Sequence, residues 1–69
     1  EVLVPSVCWS TSVWPILQLG MKPVFVDVDP NTLNADISDV RRKITARTRG
    51  MVIVHILGNS APMNELMAI

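Results

Sequence analysis

Cysteine is almost missing from this chain of 69 residues. The lone thiol, Cys8, excludes an internal disulfide framework and a zinc site built from a cysteine cluster, and it fits a reducing, cytoplasmic setting. A surplus of either charge is missing too. Six basic and six acidic side chains cancel, so no net field recruits nucleic acid or an anionic membrane surface. The apolar runs last only a few residues, too short to span a bilayer. No basic stretch leads into an apolar one in the manner of a secretory signal. Among three glycines there is no phosphate-cradling loop of either common pattern, which leaves nucleotide binding without a motif.

What is present suits a packed interior. Hydrophobic residues make up 49% and charged residues 17%, a balance that builds a core and does not describe a disordered segment. The length allows at most one small domain. Three runs read as buried strands: "EVLVP" (1–5), "PVFVDV" (23–28) and "GMVIVHIL" (50–57). The latter two are nearly continuous in Val, Ile and Phe, as strands covered on both faces are. Helical patterns lie between and after them. Ser12 is placed to cap the first, with Pro15 in its first turn, Val13, Ile16, Leu17 and Leu19 along one side and Gly20 as the stop. Asp36 is placed to cap the second, with Ile37, Val40 and Ile44 on one stripe. Pro62 stands near the start of the third, with Leu66 and Ile69 inward.

The predicted fold is therefore α/β, a three-stranded parallel β-α-β-α-β-α segment with right-handed crossovers. If the strands pair in chain order, all helices fall on one face and the other is left bare. The first residues open straight on a strand and the last lie inside a helical pattern without a stop signal, so residues 1–69 are expected to be a fragment cut at both ends.

In open parallel sheets ligands bind beyond the carboxyl ends of the strands. Trp9, Asp27, Asp29, His55 and Asn59 all fall at or near that edge. Trp9 either stacks on a flat ligand or plugs the sheet edge. Ser10, Thr11 and Ser12 cap a helix or bind an anion, and capping is the preferred reading. Asp27 and Asp29 could share a face as a carboxylate pair, but "DVDPNT" reads more plainly as a strand exit into an Asp-Pro turn. His55, the only histidine, could be a base, a ligand contact or a subunit contact; in an apolar strand it reads first as a satisfied structural residue. Cys8 reads as a small buried hydrophobe. Asp27, Asp29, Asp36 and Asp39 precede Arg41, Arg42, Lys43, Arg47 and Arg49, an order that reads mainly as charge matching at helix ends.

Taken in order, "EVLVPSVCWSTS", "LGMKPVFVDVDPNTLNADI", "RRKITARTRGMVIVHILGN" and "MNEL" resemble the DegT/DnrJ/StrS sugar aminotransferase family over essentially the whole chain. The resemblance implies the aspartate-aminotransferase fold, with residues 1–69 a central piece of the cofactor-binding large domain. It implies pyridoxal 5′-phosphate, or pyridoxamine 5′-phosphate, as cofactor and a nucleotide-linked keto-sugar as substrate, in glycan or lipopolysaccharide biosynthesis. It implies a homo-oligomer, a dimer in the simplest case, that is cytoplasmic and engages neither membrane nor nucleic acid. The family's aromatic that stacks on the pyridine ring corresponds to Trp9, and the residue before it, often Thr in the family, is Cys8. The histidine of the family's V-H-x-x-G pattern corresponds to His55, with Asn59 just beyond the glycine; both are expected near the site, as substrate contacts or as structure. Pro15, Gln18 and the "HILGN" ending lean toward the subgroup of sugar 3-dehydrases, which use pyridoxamine phosphate and lack the Schiff-base lysine.

Such chemistry needs a lysine, a carboxylate against the pyridine nitrogen and a phosphate cup. The lysines here are Lys22 and Lys43, one ahead of a strand and so at the wrong edge, the other on a helix among arginines. No catalytic residue is therefore assigned within the segment. Two other classes share the β-α-β pattern: a non-catalytic α/β interaction module and a nucleotide-binding response domain, the latter by fold analogy alone.

Overall fold

The computed structural model describes residues 1–69. Its spine is a parallel sheet of three strands, β1 (Val2–Pro5), β2 (Pro23–Val26) and β3 (Gly50–Met51). The spatial order is β2-β1-β3. Leu3 stands opposite Val24 on one side and Met51 on the other. The connections carry three short helices, α1 (Trp14–Gln18), α2 (Ile37–Lys43) and α3 (Met63–Met67), with single 3₁₀ turns at Ser10–Ser12 and Ile56–Gly58.

The strands do not pair in chain order, so the helices do not share a face. The chain steps outward from β1 to β2, then back across β1 to β3. Two right-handed crossovers running in opposite directions place α1 and α2 on opposite faces. The core follows that division. Leu3, Val26, Val40, Ala61 and Leu66 form one buried cluster, flanked by Val24, Met51 and Ile53. By the two-residue alternation of strands, Val4 belongs to the other face; it and Ile16 of α1 are both buried and both outside that cluster.

Several local expectations change. The third run pairs only at Gly50–Met51 instead of over 50–57. Beyond that, Val52 N–H donates to the Leu3 carbonyl at 2.8 Å and the ladder ends, because β1 itself turns off at Pro5, which has no N–H to offer. The second run leaves the sheet after Val26; Val28 instead bridges Ala35 antiparallel. Ser12 does not cap α1: it lies in the 3₁₀ turn, and the N-cap is Val13, without a side-chain bond. Leu17 and Leu19 are exposed, leaving Ile16 as the one buried position of that helix. Ile69 stays half exposed, so Leu66 is the one buried residue of α3, with Met63 packed against the core beside it. Cys8 is half-buried, not fully so.

Other expectations hold. Asp36 caps α2, its carboxylate accepting from Ser38 N–H at 2.9 Å. Arg41, Arg42 and Lys43 occupy the last turn, where cations suit the helix dipole. Gly20 ends α1 at φ +75°, with Met21 N–H on the Ile16 carbonyl and Gly20 N–H on the Leu17 carbonyl, both 3.0 Å, the paired bonds of a left-handed C-terminal stop.

The sequence pattern did not reveal the role of Asp39. It is 1% exposed, yet every lone pair has work. Oδ1 accepts from Arg42 Nε at 3.1 Å and from Arg42 Nη2. Oδ2 accepts from the backbone N–H of Asp27 at 2.7 Å and pairs with Lys43 Nζ at 3.1 Å. Lys43 Nζ in turn donates to the Phe25 carbonyl at 2.7 Å. Because β2 is an edge strand, that carbonyl has no ladder partner, and the ammonium supplies one.

The Arg42 guanidinium first, and then the Asp27 amide, hold the Asp39 carboxyl well below the usual carboxylate range. A group depressed in the folded state adds stability above its unfolded pKa of about 3.9, and that share is lost as pH falls toward the folded value. Asp39→Asn is therefore expected to lower the urea midpoint at pH 7 and to flatten its decline below about pH 4; an unchanged acid limb would be the contrary result. Gly20→Ala meets no atom within 4 Å and so isolates the left-handed backbone; an expected loss of about 1 kcal/mol is to be read from the same titration.

Candidate functional site

Three loops leave the carboxyl edge of the sheet: residues 6–13 after β1, 27–36 after β2, and 52–62 after β3. The first carries Trp9, in extended conformation (φ −74°, ψ 147°) as the residue before the Ser10–Ser12 turn. Its backbone carbonyl accepts from Ser12 N–H at 3.0 Å. The hydroxyl residues thus form a turn of their own, and α1 is too short to offer an anion site behind them. The indole is 83% exposed, so it does not plug the sheet edge.

The second loop is a compact hairpin. Asp29 N–H donates to the Asn34 carbonyl at 2.8 Å and Asp36 N–H to the Asp27 carbonyl at 2.9 Å. Asp29 Oδ1 accepts from Asn31 N–H at 2.8 Å, and Thr32 N–H closes on the Asp29 carbonyl at 3.1 Å. This is the Asp-Pro turn the sequence predicts. Asp29 is spent on the turn, and Asp27 contributes its backbone to Asp39. They do not act as a carboxylate pair.

The third loop holds His55 and Asn59. His55 Nδ1 accepts from Ala61 N–H at 2.9 Å. With Nδ1 occupied as an acceptor, the neutral ring carries its proton on Nε2, and the residue is exposed. Asn59 contributes its carbonyl: Asn34 Nδ2 donates to it at 3.3 Å and to the Ser60 carbonyl at 3.0 Å. Asn34 Oδ1 accepts from Ile56 N–H at 3.2 Å. Asn34, 2% exposed, thus ties the second loop to the third by three bonds. The sequence offered little to find it by, since an Asn two residues before a helix cap reads as turn material. Asp39 did leave a signal: Arg42 and Lys43 stand three and four residues on, the spacing of ion pairs on a helix.

The surface carries two concavities. A polar cleft of about 350 Å³ lies between the second and third loops, lined by Asp29, Thr32, Asn34, Asp36, Ser60 and Glu65. An apolar groove of about 330 Å³ lies on the far side, lined by Ile44, Met51, Ile53, Leu66, Met67 and Ile69. Neither includes Trp9 or His55. Of the lysines, Lys22 precedes β2 at the amino edge, and Lys43 is held by Asp39 and the Phe25 carbonyl. No helix is long and apolar enough to cross a membrane.

Comparison with known proteins bears on this arrangement. Residues 1–69 match the profile of the DegT/DnrJ/EryC1/StrS aminotransferase family. The chain is 41% identical over 66 residues to a GDP-4-keto-6-deoxy-D-mannose 3-dehydratase of Escherichia coli O55:H7, covering 96% of this chain and 17% of that one. It is 41% identical over 69 residues to an L-glutamine:2-deoxy-scyllo-inosose aminotransferase of Streptomyces paromomycinus, covering 100% and 16%. Among solved structures, the sugar aminotransferase CalS13 from Micromonospora echinospora superposes with a TM-score of 0.94 at 44% identity, over 99% of this chain and 18% of that one. A GDP-4-keto-6-deoxymannose-3-dehydratase with a trapped PLP-glutamate geminal diamine also superposes at 0.94, with 40% identity over 99% and 18%. The chain thus spans about one sixth of the length of the curated relatives it matches. Its three parallel strands and their helices are a portion of the fold of PLP-dependent sugar aminotransferases, and the chain belongs to the DegT/DnrJ/EryC1/StrS aminotransferase family.

Proposed function

We propose that residues 1–69 are one piece of the cofactor-binding domain of an enzyme that uses pyridoxal 5′-phosphate, and that the complete enzyme transfers an amino group to a nucleotide-linked keto-sugar. The observation that carries this is Trp9: an indole 83% exposed in the loop leaving the central strand at the carboxyl edge, where open α/β sheets bind ligands. A flat aromatic left bare at that edge fits a flat heteroaromatic ring, which it holds by offset stacking. Bound there, the cofactor supplies an electron sink for the carbon that carries the amine. The segment's own part is to seat and orient the ring. Proton transfer and covalent attachment fall to residues outside it, because Lys43 is committed to Asp39 and Lys22 lies at the opposite edge.

A second reading within the family is a 3-dehydratase working with pyridoxamine 5′-phosphate. It is favoured by the dehydratases of Escherichia coli and Yersinia pseudotuberculosis, 41% and 44% identical to this chain. Both readings place the same ring against Trp9. Both also have the complete enzyme acting as a cytoplasmic homo-oligomer in glycan or lipopolysaccharide biosynthesis. His55 serves the site as a fixed ring with Nε2–H outward, and Asn59 as part of the loop that holds it. A stand-alone interaction module is disfavoured by the apolar surface left bare at Trp14, Leu17, Leu19 and Phe25.

Trp9→Ala in the full-length polypeptide that contains these residues is expected to weaken pyridoxal phosphate binding roughly two- to twelvefold, the loss of one aromatic stack. Trp9→Phe should keep most of the affinity. An absorbance titration of the cofactor measures both, and an Ala variant that binds like the parent would end the stacking role. The 69-residue chain by itself is expected to transfer no amino group from glutamate to a keto-sugar; turnover that disappears on replacing Lys22 or Lys43 would contradict this.

A further inference from the structure

The loop after the third run contains a residue in an unexpected state. Leu57 has φ +50° and is followed by Gly58 at φ +82°. Glycine takes the left-handed region freely, but leucine does so at a cost, because its Cβ crowds the backbone. Within these residues Leu57 recovers nothing by burial, being 87% exposed. An apolar side chain is thus held in a strained backbone and directed to no part of the core.

What holds it is visible. Asn34 bonds the Ile56 amide on one side of Leu57 and the Asn59 and Ser60 carbonyls on the other. The Ala61 amide closes on His55 Nδ1 around the same residues. The buried amide of Asn34 has three bonds, all to the backbone that brackets Leu57.

Where it is held is also informative. β3 pairs directly with β1, so the loops after these runs leave the same edge side by side. Trp9 immediately precedes the 3₁₀ turn of one loop and Leu57 lies within that of the other. These two are the most exposed large hydrophobic side chains in the chain. Strain that persists without a packing return is a mark of ligand contacts.

We propose that Leu57 is an apolar contact for the ligand bound at this rim, and that Asn34 is a positioning residue acting through it. This rests on the reading of Trp9 given above. The ligand is one that offers a flat ring to the indole and adjoining C–H surface to the leucine, and pyridoxal phosphate is the probe.

The test uses the full-length polypeptide containing residues 1–69, with three readouts: pyridoxal phosphate affinity, urea stability and hydrogen exchange at the Ile56 amide. Leu57→Gly and Leu57→Asn both tolerate the left-handed backbone. Each should match or exceed the parent's stability, since the strain of a left-handed leucine is relieved, while binding the cofactor roughly three- to tenfold more weakly, the scale of about one methyl group no longer withdrawn from water. Asn34→Ala should speed exchange at Ile56 and weaken binding similarly, with no further loss when combined with Leu57→Gly. Unchanged affinity in both Leu57 variants overturns the contact, and losses that simply add overturn the positioning role. A parent that binds no pyridoxal phosphate removes this proposal together with the reading of Trp9, whereas a binding parent with indifferent Leu57 variants removes this one alone. Should Asn34→Ala fail to fold, the two Leu57 variants still decide the contact.

Discussion

A carboxylate with almost no access to water organises one half of this structure. Asp39 is tolerable in the interior because four donors converge on it, two from Arg42, one from Lys43 and one from the Asp27 backbone. Removing any of them leaves part of a buried carboxylate without its hydrogen-bond partner. The arrangement fixes the start of α2 against the end of β2, and through Lys43 it closes the open edge of the sheet at Phe25. The hairpin of residues 27–36 begins at the amide that Asp39 holds, and Asn34 reaches the third loop from within that hairpin. The placement of His55 and Leu57 thus depends, two steps removed, on a buried ion.

Much of the fold was legible because its signals are local. The strands announce themselves as runs of Val, Ile and Phe, although only β1 is largely buried while β2 buries Val26 alone and β3 no residue; Asp36 precedes an apolar stripe, Gly20 follows one, and Asp29-Pro30 makes a turn. What was not legible depends on distant partners. Strand order cannot be read from a pattern that repeats the same βα unit, so the reversal about β1 came only with the structure. The third strand shortens because its neighbour ends at Pro5, a fact of β1 and not of β3. Ser12 looks like a cap, but the chain inserts a separate turn before α1. Asn34 and Asp39 matter through groups they meet across the fold, and of those only the i+3 and i+4 cations of Asp39 stand close in sequence.

The candidate site divides along the same line. Trp9 stood out because a large aromatic is out of place in a loop between strand and helix. His55 and Asn59 stood out by lying at the carboxyl edge, and the structure shows both engaged, one through Nδ1 and the other through its carbonyl. Leu57 drew no notice, since an exposed leucine is ordinary in a sequence and a left-handed one cannot be recognised there. Neither lysine stands free at the carboxyl edge, Lys22 preceding β2 and Lys43 being held by Asp39, in a chain that covers about one sixth of its relatives.

The central place of β1 also bears on how the chain acquires its shape. Its partner on one side is the next strand, reached over a short loop carrying α1; its partner on the other lies more than twice as far along the chain. Closing the longer loop costs more entropy, though only by about 0.6 kcal/mol per doubling, and contacts so distant form slowly. The β1–β2 pair therefore comes together first, with one flank of β1 still open to solvent. Of the three strands, the central one is thus enclosed in two steps, one flank well before the other.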